Sequence, residues 1–292
     1  MRRCLALALS IAALGCHLDE GSVVGVEVTD SGGDGTVFDA SADALDAGDD
    51  GAPGDAGDGG GSTDAGPCST GLPGPALVPV GDAGYCIDST EVTNADYAKF
   101  LAGVKDAGLP VPAFCGKNTP QDWAGGPWTV GKDEARPVVQ VDWCDAYWFC
   151  KWAGKRLCGD RTGGALAPAD MVNPVRSQWQ YACTGGTSND YPYGPTYDPA
   201  RCNGAASGKG MTVDAGSMAG CIGGVPGLHD MSGNVWEWID SCDGNTAGTD
   251  HCANGAGGWQ DGDPTLLKCK GFDIKSPRTD KGPQTGIRCC SP

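Results

Sequence analysis

Histidine is scarce in this sequence: the chain has three, and only His229 and His251 lie beyond the first 67 residues. The chain also lacks any C-x₂-C pair. Structural zinc sites draw on paired cysteines and histidines at such spacings, so a zinc module is excluded. The G-x-S-x-G, P-loop and dinucleotide-binding patterns are absent as well, which argues against the enzyme classes that depend on them.

No apolar run is long enough to span a bilayer as a helix. The run over residues 5–14 follows two arginines, which is typical of a secretory signal. It ends in Ala13-Leu14-Gly15-Cys16, which resembles a bacterial lipoprotein box. We therefore predict a lipoprotein signal at residues 1–16, with Cys16 lipidated and the protein anchored through it in a bacterial cell envelope, at the outer membrane. Without lipidation of Cys16, ordinary cleavage would secrete the protein.

Lysine and arginine are absent from residues 17–67, which contain thirteen Asp or Glu. Repeated Asp-Ala-Gly and Gly-Asp motifs with few large apolar side chains predict a disordered acidic linker. The formal charge of the whole chain is −17; without this linker and the two arginines of the signal, residues 68–292 carry about −6. An acidic chain argues against a nucleic-acid partner. The linker is either a tether that holds the domain off the membrane or a spacer without a partner.

Cysteine, by contrast, is abundant. Apart from Cys4 and Cys16, fourteen cysteines lie between Cys68 and Cys290. An even number in an exported chain favours disulfides, up to seven of them.

Two segments have helical periodicity behind a capping residue. Thr93, with Asp96 three residues later, predicts one helix start. Asp142 predicts a second, after a short β-like run, and Gly154 is expected to end that helix. The apolar residues that share a face are Tyr97, Phe100, Leu101 and Val104 in the first helix and Ala146, Phe149, Cys150 and Ala153 in the second.

The stretch 227–238 holds two carboxylates, Asp230 and Glu237, around the turn-forming run Ser232-Gly233-Asn234. Such a turn can bring two oxygen ligands together with backbone carbonyls, as a calcium site requires. On spacing alone the alternative is a turn into a half-buried strand, with both carboxylates solvated.

Several motifs together resemble the formylglycine-generating enzyme (sulfatase-modifying factor) family. The stretch 227–238, G-L-H-D-M-S-G-N-V-W-E-W, is close to the family signature G-L-Y-D-M-x-G-N-V-W-E-W. Overall, the resemblance covers residues 78–290. Residues 85–94 are similar to the family pattern F-Y-I-D-x-x-E-V-T-N. Residues 137–157 are similar to P-V-x-x-V-S-W-x-D-A-x-x-Y-C-x-W-A-G-K-R-L. Shorter matches lie at 177–182, 191–194 and 286–289.

The resemblance implies a domain at residues 68–292 with an α+β fold of the formylglycine-generating-enzyme (C-type-lectin-like) type. Such a domain is disulfide-rich and low in regular secondary structure. The family's cysteine positions imply two bridges here, Cys150–Cys289 and Cys183–Cys269.

The resemblance also implies a structural Ca²⁺ at the signature stretch. The side chains of Asp230 and Glu237 would supply oxygen ligands, and Gly233 and Val235 would supply backbone carbonyls.

Catalytic members of the family oxidise a substrate cysteine with O₂ at a copper ion held by two cysteines, which are soft ligands suited to Cu(I). The pair lies ten and five residues before the cysteine that Cys269 matches. In this sequence those positions are Trp259 and Pro264, which cannot bind copper. The resemblance therefore predicts that copper is absent. A related branch uses a non-haem iron, but its helical domain and an H-x₃-H pattern are both missing here.

Three functions remain open. The preferred one is a membrane-tethered, catalytically silent extracytoplasmic domain that binds a protein or glycan ligand or has a structural role. The alternative is a formylglycine-generating oxidase for exported sulfatases or similar proteins, using O₂ and a metal, with displaced cysteines such as Cys252 or Cys242. The third is an enzyme of another kind on the same scaffold.

Overall fold

The computed structural model describes residues 68–104, 112–116, 133–246 and 248–291. The predicted signal with Cys16 and the predicted linker at 17–67 lie outside the described residues. Within the described part of the chain, no helix is long and apolar enough to cross a membrane.

Regular secondary structure is sparse, as expected. In the described ranges the helices are α1 (Asn94–Val104), α2 (Trp143–Trp152) and α3 (Gln178–Thr184). The strands are β1 (Leu77–Pro79), β2 (Cys86–Asp88), β3 (Arg156–Leu157), β4 (Ile222–Gly223), β5 (Val225–His229), β6 (Trp236–Cys242), β7 (His251–Gly255), β8 (Phe272–Pro277), β9 (Thr285–Gly286) and β10 (Cys289–Cys290).

The strands form two four-stranded sheets and one hairpin among the described residues. The first sheet has the order β1-β2-β10-β3 and is antiparallel throughout. The C-terminal strand β10 therefore lies in its interior, paired with both β2 and β3. The second sheet has the order β8-β7-β6-β9, with β6 antiparallel to β7 and parallel to β9. The hairpin pairs β4 with β5.

Capping side chains start the first two helices where the sequence predicts, and in α2 they form a complete capping box. The side chain of Asp142 accepts a hydrogen bond from the backbone N–H of Asp145 at 2.9 Å, and Asp145 returns the contact to Asp142 at 3.0 Å. In α1, Thr93 Oγ1 accepts from the N–H of Asp96 at 3.2 Å. Gly154, with a φ of 71°, follows the end of α2. These contacts satisfy N–H groups that have no partner inside a helix.

The β-like run predicted before Asp142 is wrong. It makes one isolated bridge, between Pro137 and Thr93. Gln140 has a left-handed φ of 60°, which breaks an extended strand. The N–H of Gln140 donates to the carbonyl of Gly282 at 3.1 Å, so a contact with a distant segment overrides the local β preference.

Aromatic rings join α1 to α2. The centroid of Phe149 lies 5.7 Å from that of Phe100 and 6.0 Å from that of Tyr97. Phe100 also contacts Trp152, at 5.5 Å. Such pairs contribute about 0.5–1.5 kcal/mol each beyond the burial of their apolar area. The predicted faces of both helices are buried, except that Leu101 is half-buried at the edge of the core.

All fourteen cysteines from Cys68 to Cys290 are paired in disulfides, a number that indicates an extracellular or exported protein. The structure contains both pairs that the family resemblance implies. The seven bridges are Cys68–Cys86, Cys115–Cys144, Cys150–Cys289, Cys158–Cys290, Cys183–Cys269, Cys202–Cys221 and Cys242–Cys252.

Two of these bridges close nearly the same loop. Cys289 and Cys290 are adjacent, and their partners, Cys150 and Cys158, lie at the end of α2 and just after β3. The bridges span 139 and 132 residues of sequence. With one bridge intact, the other closes only the small ring that contains residues 150–158.

We expect the two bridges to act non-additively. Replacing the cysteines of either pair with alanine opens only the small ring, which costs about 2–3 kcal/mol in the chain-entropy treatment. Removing both pairs also releases the long loop, so the loss should exceed the sum of the single losses by about 1–2 kcal/mol. Guanidinium unfolding without reductant measures all three variants. The control is the pair Cys242–Cys252, which spans 10 residues and should add independently; strict additivity for the first two pairs would contradict the assignment.

Asp142 and Asp145 lie buried together beside Lys281. The ammonium of Lys281 is 3.0 Å from Asp145 Oδ2 and 3.6 Å from Asp142 Oδ2. Burial raises the pKa of Asp145 to about 7; the charge of Asp142 adds to this and Lys281 opposes it. Burial likewise raises the pKa of Asp88 to about 6 against the opposing charge of Lys155. A raised pKa means that the folded state binds the proton more tightly than the unfolded chain, so these groups favour folding at acid pH.

We therefore expect Asp145 to make the protein less stable as the pH rises from about 4 to about 7. The substitution Asp145→Asn should remove part of this fall, because asparagine does not titrate. Urea unfolding at several pH values in that window measures the slope. The control is Ser177→Ala, which removes the capping side chain of α3 but no titratable group, and it should lower the stability without changing the slope. An Asp145→Asn slope equal to that of the natural protein would refute the role of Asp145.

Candidate functional site

The signature stretch 227–238 forms the end of β5, a tight turn and the start of β6. Asp230 and Asn234 have left-handed φ values of 59° and 63°, and Gly233 lies between them with a φ of 76°. A Cβ on Gly233 would lie 2.6 Å from the carbonyl oxygen of Asn203, so only glycine fits there. The turn thus depends on close packing of two backbones.

Asn234 connects this turn to two other segments. Its amide nitrogen donates to Glu91 Oε1 at 2.9 Å. Its amide oxygen accepts from Asn203 Nδ2 at 3.0 Å and from the backbone N–H of Val213 at 2.9 Å. Because the side chain is buried, this network fixes the turn more firmly than solvated contacts would.

Glu237 forms a buried ion pair with Arg288. Arg288 Nε donates to both carboxylate oxygens at 2.9 Å, and Nη2 lies 2.8 Å from Oε1. The indole N–H of Trp179, in α3, donates to Oε2 at 2.6 Å. Arg288 also donates to the carbonyls of Asp88 and His229, at 2.7 and 2.8 Å. Both carboxylate oxygens of Glu237 therefore accept hydrogen bonds from buried donors.

Two further carboxyls, Glu91 and Asp230, lie buried near this ion pair. Asp230 Oδ2 accepts from the backbone N–H of Gly216 at 2.5 Å, and its carboxyl is hydrogen-bonded to that of Glu91. Burial raises the pKa of Asp230, and burial and then the charge of Asp230 raise the pKa of Glu91 well above its usual value. One shared proton between the two carboxyls explains how both lie in the interior.

In this arrangement both side chains predicted to bind calcium, Asp230 and Glu237, already have partners within the protein. The structure brings Asp230 and Glu237 together around Arg288, whose guanidinium supplies the positive charge. Within the described residues, no group of three or more His, Cys, Asp or Glu side chains is placed to hold a metal ion. Calcium binding by Asp230, Gly233, Val235 and Glu237 therefore stays a prediction.

The positions that match the family's copper ligands lie on one loop beside the signature turn. The N–H of Trp259 donates to the carbonyl of Asn234 at 3.0 Å. The carbonyl of Pro264 accepts from the hydroxyl of Tyr191 at 3.0 Å. The nearest upstream cysteines, Cys242 and Cys252, are bonded to each other.

A cleft of about 230 Å³ opens on the second sheet next to this loop. Trp236 and Gln284 line it, and we call it the Trp236 cleft. Gln284 Oε1 accepts from the backbone N–H of Gln260 at 3.1 Å, which ties the cleft to the segment that carries Trp259. The cleft therefore borders the surface where catalytic relatives are expected to hold copper.

Polar side chains from β7 and β8 form another wall of the Trp236 cleft. Asn254 Nδ2 donates to Ser276 Oγ, which donates to Asp273 Oδ2, both at 3.0 Å. Asn254 Oδ1 is buried and accepts no hydrogen bond from the residues that the structure describes. No sequence motif marks these three residues, because Asn254 lies in β7 and the other two lie in β8.

We expect Glu237→Gln to destabilise the fold by about 3–5 kcal/mol, because it removes the one carboxylate in direct contact with the buried guanidinium of Arg288 among the described residues. Asp198→Asn is the control; it removes one partner of a half-exposed pair with Arg201 and should cost no more than about 1 kcal/mol. Thermal and denaturant unfolding measure both variants. A melting temperature that rises with calcium in the natural protein, and not in Glu237→Gln, would favour the calcium prediction over the ion pair.

Residues 60–291 match the family of the sulfatase-modifying factor enzyme 1-like domain. The chain is 29% identical to the formylglycine-generating enzyme of Mus musculus over 198 residues, which are 53% of this chain and 48% of the mouse protein. It is 29% identical over 202 residues to the formylglycine-generating enzyme of Mycobacterium tuberculosis, covering 53% of this chain and 62% of that protein.

It is also 32% identical over 114 residues to the inactive C-alpha-formylglycine-generating enzyme 2 of Bos taurus, covering 36% of this chain and 33% of that one. The chain thus spans about half the length of the mouse relative and about a third of the length of the bovine one.

Among solved structures, the crystal structure of CarF superposes with a TM-score of 0.50 at 24% identity, covering 71% of this chain and 86% of that one. This likeness concerns the fold alone. Together with the family match it confirms the predicted disulfide-rich α+β fold of the formylglycine-generating-enzyme type. Because the match covers most of the sequence, the chain belongs to the family of the sulfatase-modifying factor enzyme 1-like domain.

Proposed function

We propose that this protein is a catalytically silent member of its family, used outside the cytoplasm as a binding or structural module. The observation that carries the proposal is the pairing of all fourteen cysteines between Cys68 and Cys290 in disulfides. A copper site of the family's kind needs two thiolates, and sulfur in a disulfide is not available as a thiolate ligand.

The residues at the expected copper positions support the same conclusion. Trp259 has an indole N–H, which donates but does not coordinate, and Pro264 has no side-chain donor atom. Both lie in a loop held by backbone contacts to Asn234 and Tyr191, so a neighbouring cysteine cannot replace them without rearrangement. The scaffold around the site is retained while the ligands are not.

The Trp236 cleft is the surface we assign to binding. It combines an aromatic wall with a buried acceptor, Asn254 Oδ1, and a carboxylate, Asp273. Small-molecule and peptide sites commonly pair apolar walls with a few placed polar groups. A protein or glycan ligand fits this chemistry.

We also propose that the domain is tethered to a bacterial envelope through a lipidated Cys16. The acidic linker at residues 17–67 would hold the domain away from the membrane surface. Export itself agrees with the number of disulfides.

A formylglycine-generating oxidase is the second candidate, because the mouse and Mycobacterium tuberculosis relatives with that name match a longer part of the chain than the bovine relative named inactive. This candidate requires two cysteines to become free, and the bridge Cys242–Cys252 is the nearest source upstream of Trp259. The two candidates differ in a countable quantity, the number of free thiols.

We expect no free thiol among residues 68–292 when the unfolded, non-reduced protein is titrated with a thiol reagent. We also expect no aldehyde on a C-x-P-x-R peptide incubated with the protein, Cu(I) and O₂, when mass spectrometry follows the reaction. The formylglycine-generating enzyme of Mycobacterium tuberculosis is the positive control. Multiple turnovers by this protein would overturn the proposal.

A variant that restores the two copper-binding thiols tests the proposal more directly. The double substitution Trp259→Cys plus Pro264→Cys restores thiols at the two expected positions, and it should bind Cu(I) while the natural protein does not. Failure of the variant to bind would mean that the loop itself, and not only its side chains, has diverged.

A further inference from the structure

A well-defined cavity among the described residues lies away from the family's reactive surface. It has a volume of about 490 Å³ and lies at the C-terminal end of β6. This volume is within the range of about 300–1,000 Å³ that small-molecule sites occupy. The cavity shares no lining residue with the Trp236 cleft and includes neither Trp259 nor Pro264.

One wall of the cavity is a rigid group of aromatic rings. Trp143 stacks on Tyr147 with centroids 5.4 Å apart, and Phe114 meets both rings edge-on. The indole N–H of Trp143 donates to the carbonyl of Ile239 at 2.8 Å, which fixes the ring. Apolar walls of this kind accept the aliphatic part of a ligand.

A buried guanidinium covers the aromatic faces. Arg278 lies 4.4 Å from the centroid of the Trp143 ring and 5.0 Å from that of Phe114. Since Tyr147 covers the other face of Trp143, no open face of that ring remains for a sugar to stack on.

The charge of Arg278 is already balanced within the protein. Arg278 Nε donates to Asp250 Oδ2 at 3.1 Å, Nη2 also donates to that oxygen, and Nη2 donates to the carbonyl of Gly244 at 3.1 Å. Both Arg278 and Asp250 are buried. Arg278 therefore holds the aromatic wall and is not available to neutralise other carboxylates of the cavity.

Two carboxylates of the lining have no lysine or arginine in contact among the residues that the structure describes. Asp240, half-buried, accepts no hydrogen bond through its side chain from any residue that the structure describes. Burial raises the pKa of its carboxyl, with Arg156 and Arg278 opposing from a distance. The Nη atoms of Arg156 donate to the carbonyls of Leu157, Gly164 and Asp160, and its buried Nε donates to no residue that the structure describes.

Asp243 is the second carboxylate, at the exposed rim. It accepts the backbone N–H of His251 at 2.7 Å, and the imidazole of His251 lies 3.3 Å away. The hydrogen bond from the backbone lowers the pKa of Asp243, which keeps it ionised. The cavity thus combines an apolar wall with two carboxylates, Asp240 and Asp243, that have no lysine or arginine in contact among the described residues.

We propose that this cavity binds a primary alkylammonium group, such as the lysine side chain of a peptide, with Asp240 as the main counterion and Asp243 at the entrance. An ammonium group carries three hydrogen-bond donors, and it would supply the positive charge that no lysine or arginine in contact supplies to Asp240. Its methylene stem packs on Phe114, because Trp143 stacks on Tyr147 and Lys151 Nζ lies 5.7 Å from the centroid of the Tyr147 ring. The proposal is independent of the catalytic question, because the cavity and the loop of Trp259 and Pro264 have no residue in common.

Two capped amino acids test the proposal on the full exported chain. N-acetyl-lysine methylamide carries the ammonium, and N-acetyl-norleucine methylamide is its neutral counterpart of similar shape. Isothermal titration calorimetry measures their affinities, and the NMR signal of the Trp143 indole N–H reports whether the ligand is in the cavity. We expect the lysine compound to bind at least about tenfold more tightly, since one partner of a desolvated charge pair is worth that much or more.

Matched variants then assign the effect. Asp240→Asn should abolish the preference for lysine, and Asp243→Asn, at the exposed rim, should reduce it by about threefold, as expected of a screened charge. Asp198→Asn changes the same charge on a half-exposed side chain outside the cavity and should leave the preference unchanged. Equal affinities for the two compounds, no binding of either, or an undiminished preference in a folded Asp240→Asn protein would each overturn the proposal.

Discussion

The buried ion pair between Glu237 and Arg288 is the interaction on which the signature region depends. It joins β6 to the segment before β10, and Trp179 and the carbonyls of Asp88 and His229 complete its hydrogen bonds. Desolvating two charges is costly, and only such complete hydrogen bonding makes the arrangement tolerable. The pair therefore fixes the relation of four segments that are far apart in sequence, and it specifies the arrangement more than it stabilises it.

Disulfides have a different role in the same fold. The helices and strands are short, so local hydrogen bonds and propensities hold little of the chain in place. Adjacent Cys289 and Cys290 connect the C-terminal strand to Cys150 and Cys158, on either side of β3. These links reduce the entropy of the unfolded chain, and they place β10 in the interior of a sheet. The same chemistry removes the thiols that copper catalysis in this family requires.

The acidic residues of the domain fall into two groups with different physical roles. Buried carboxyls such as Asp88 and Asp145 have raised pKa values because burial outweighs their cationic neighbours, so they act as structural hydrogen-bonding groups. Carboxylates at cavities, Asp240 and Asp273, have no lysine or arginine in direct contact among the described residues, and they are the groups that we propose for ligand binding. Sequence alone does not separate these groups, since all four residues are aspartates and each lies in a segment that contains both apolar and polar residues.

Local signals in the sequence were sufficient for both capped helices and for the turn at Gly233, because caps and left-handed turns depend on neighbouring residues. The two disulfides expected by resemblance, and the family itself, also followed from sequence. Tertiary structure alone decided that Glu237 pairs with Arg288, that Gln140 breaks the expected β-like run, and that Asp240 faces an aromatic cavity. Each of these outcomes depends on segments that are distant in sequence, so neither residue type nor spacing could determine which partner a side chain would meet.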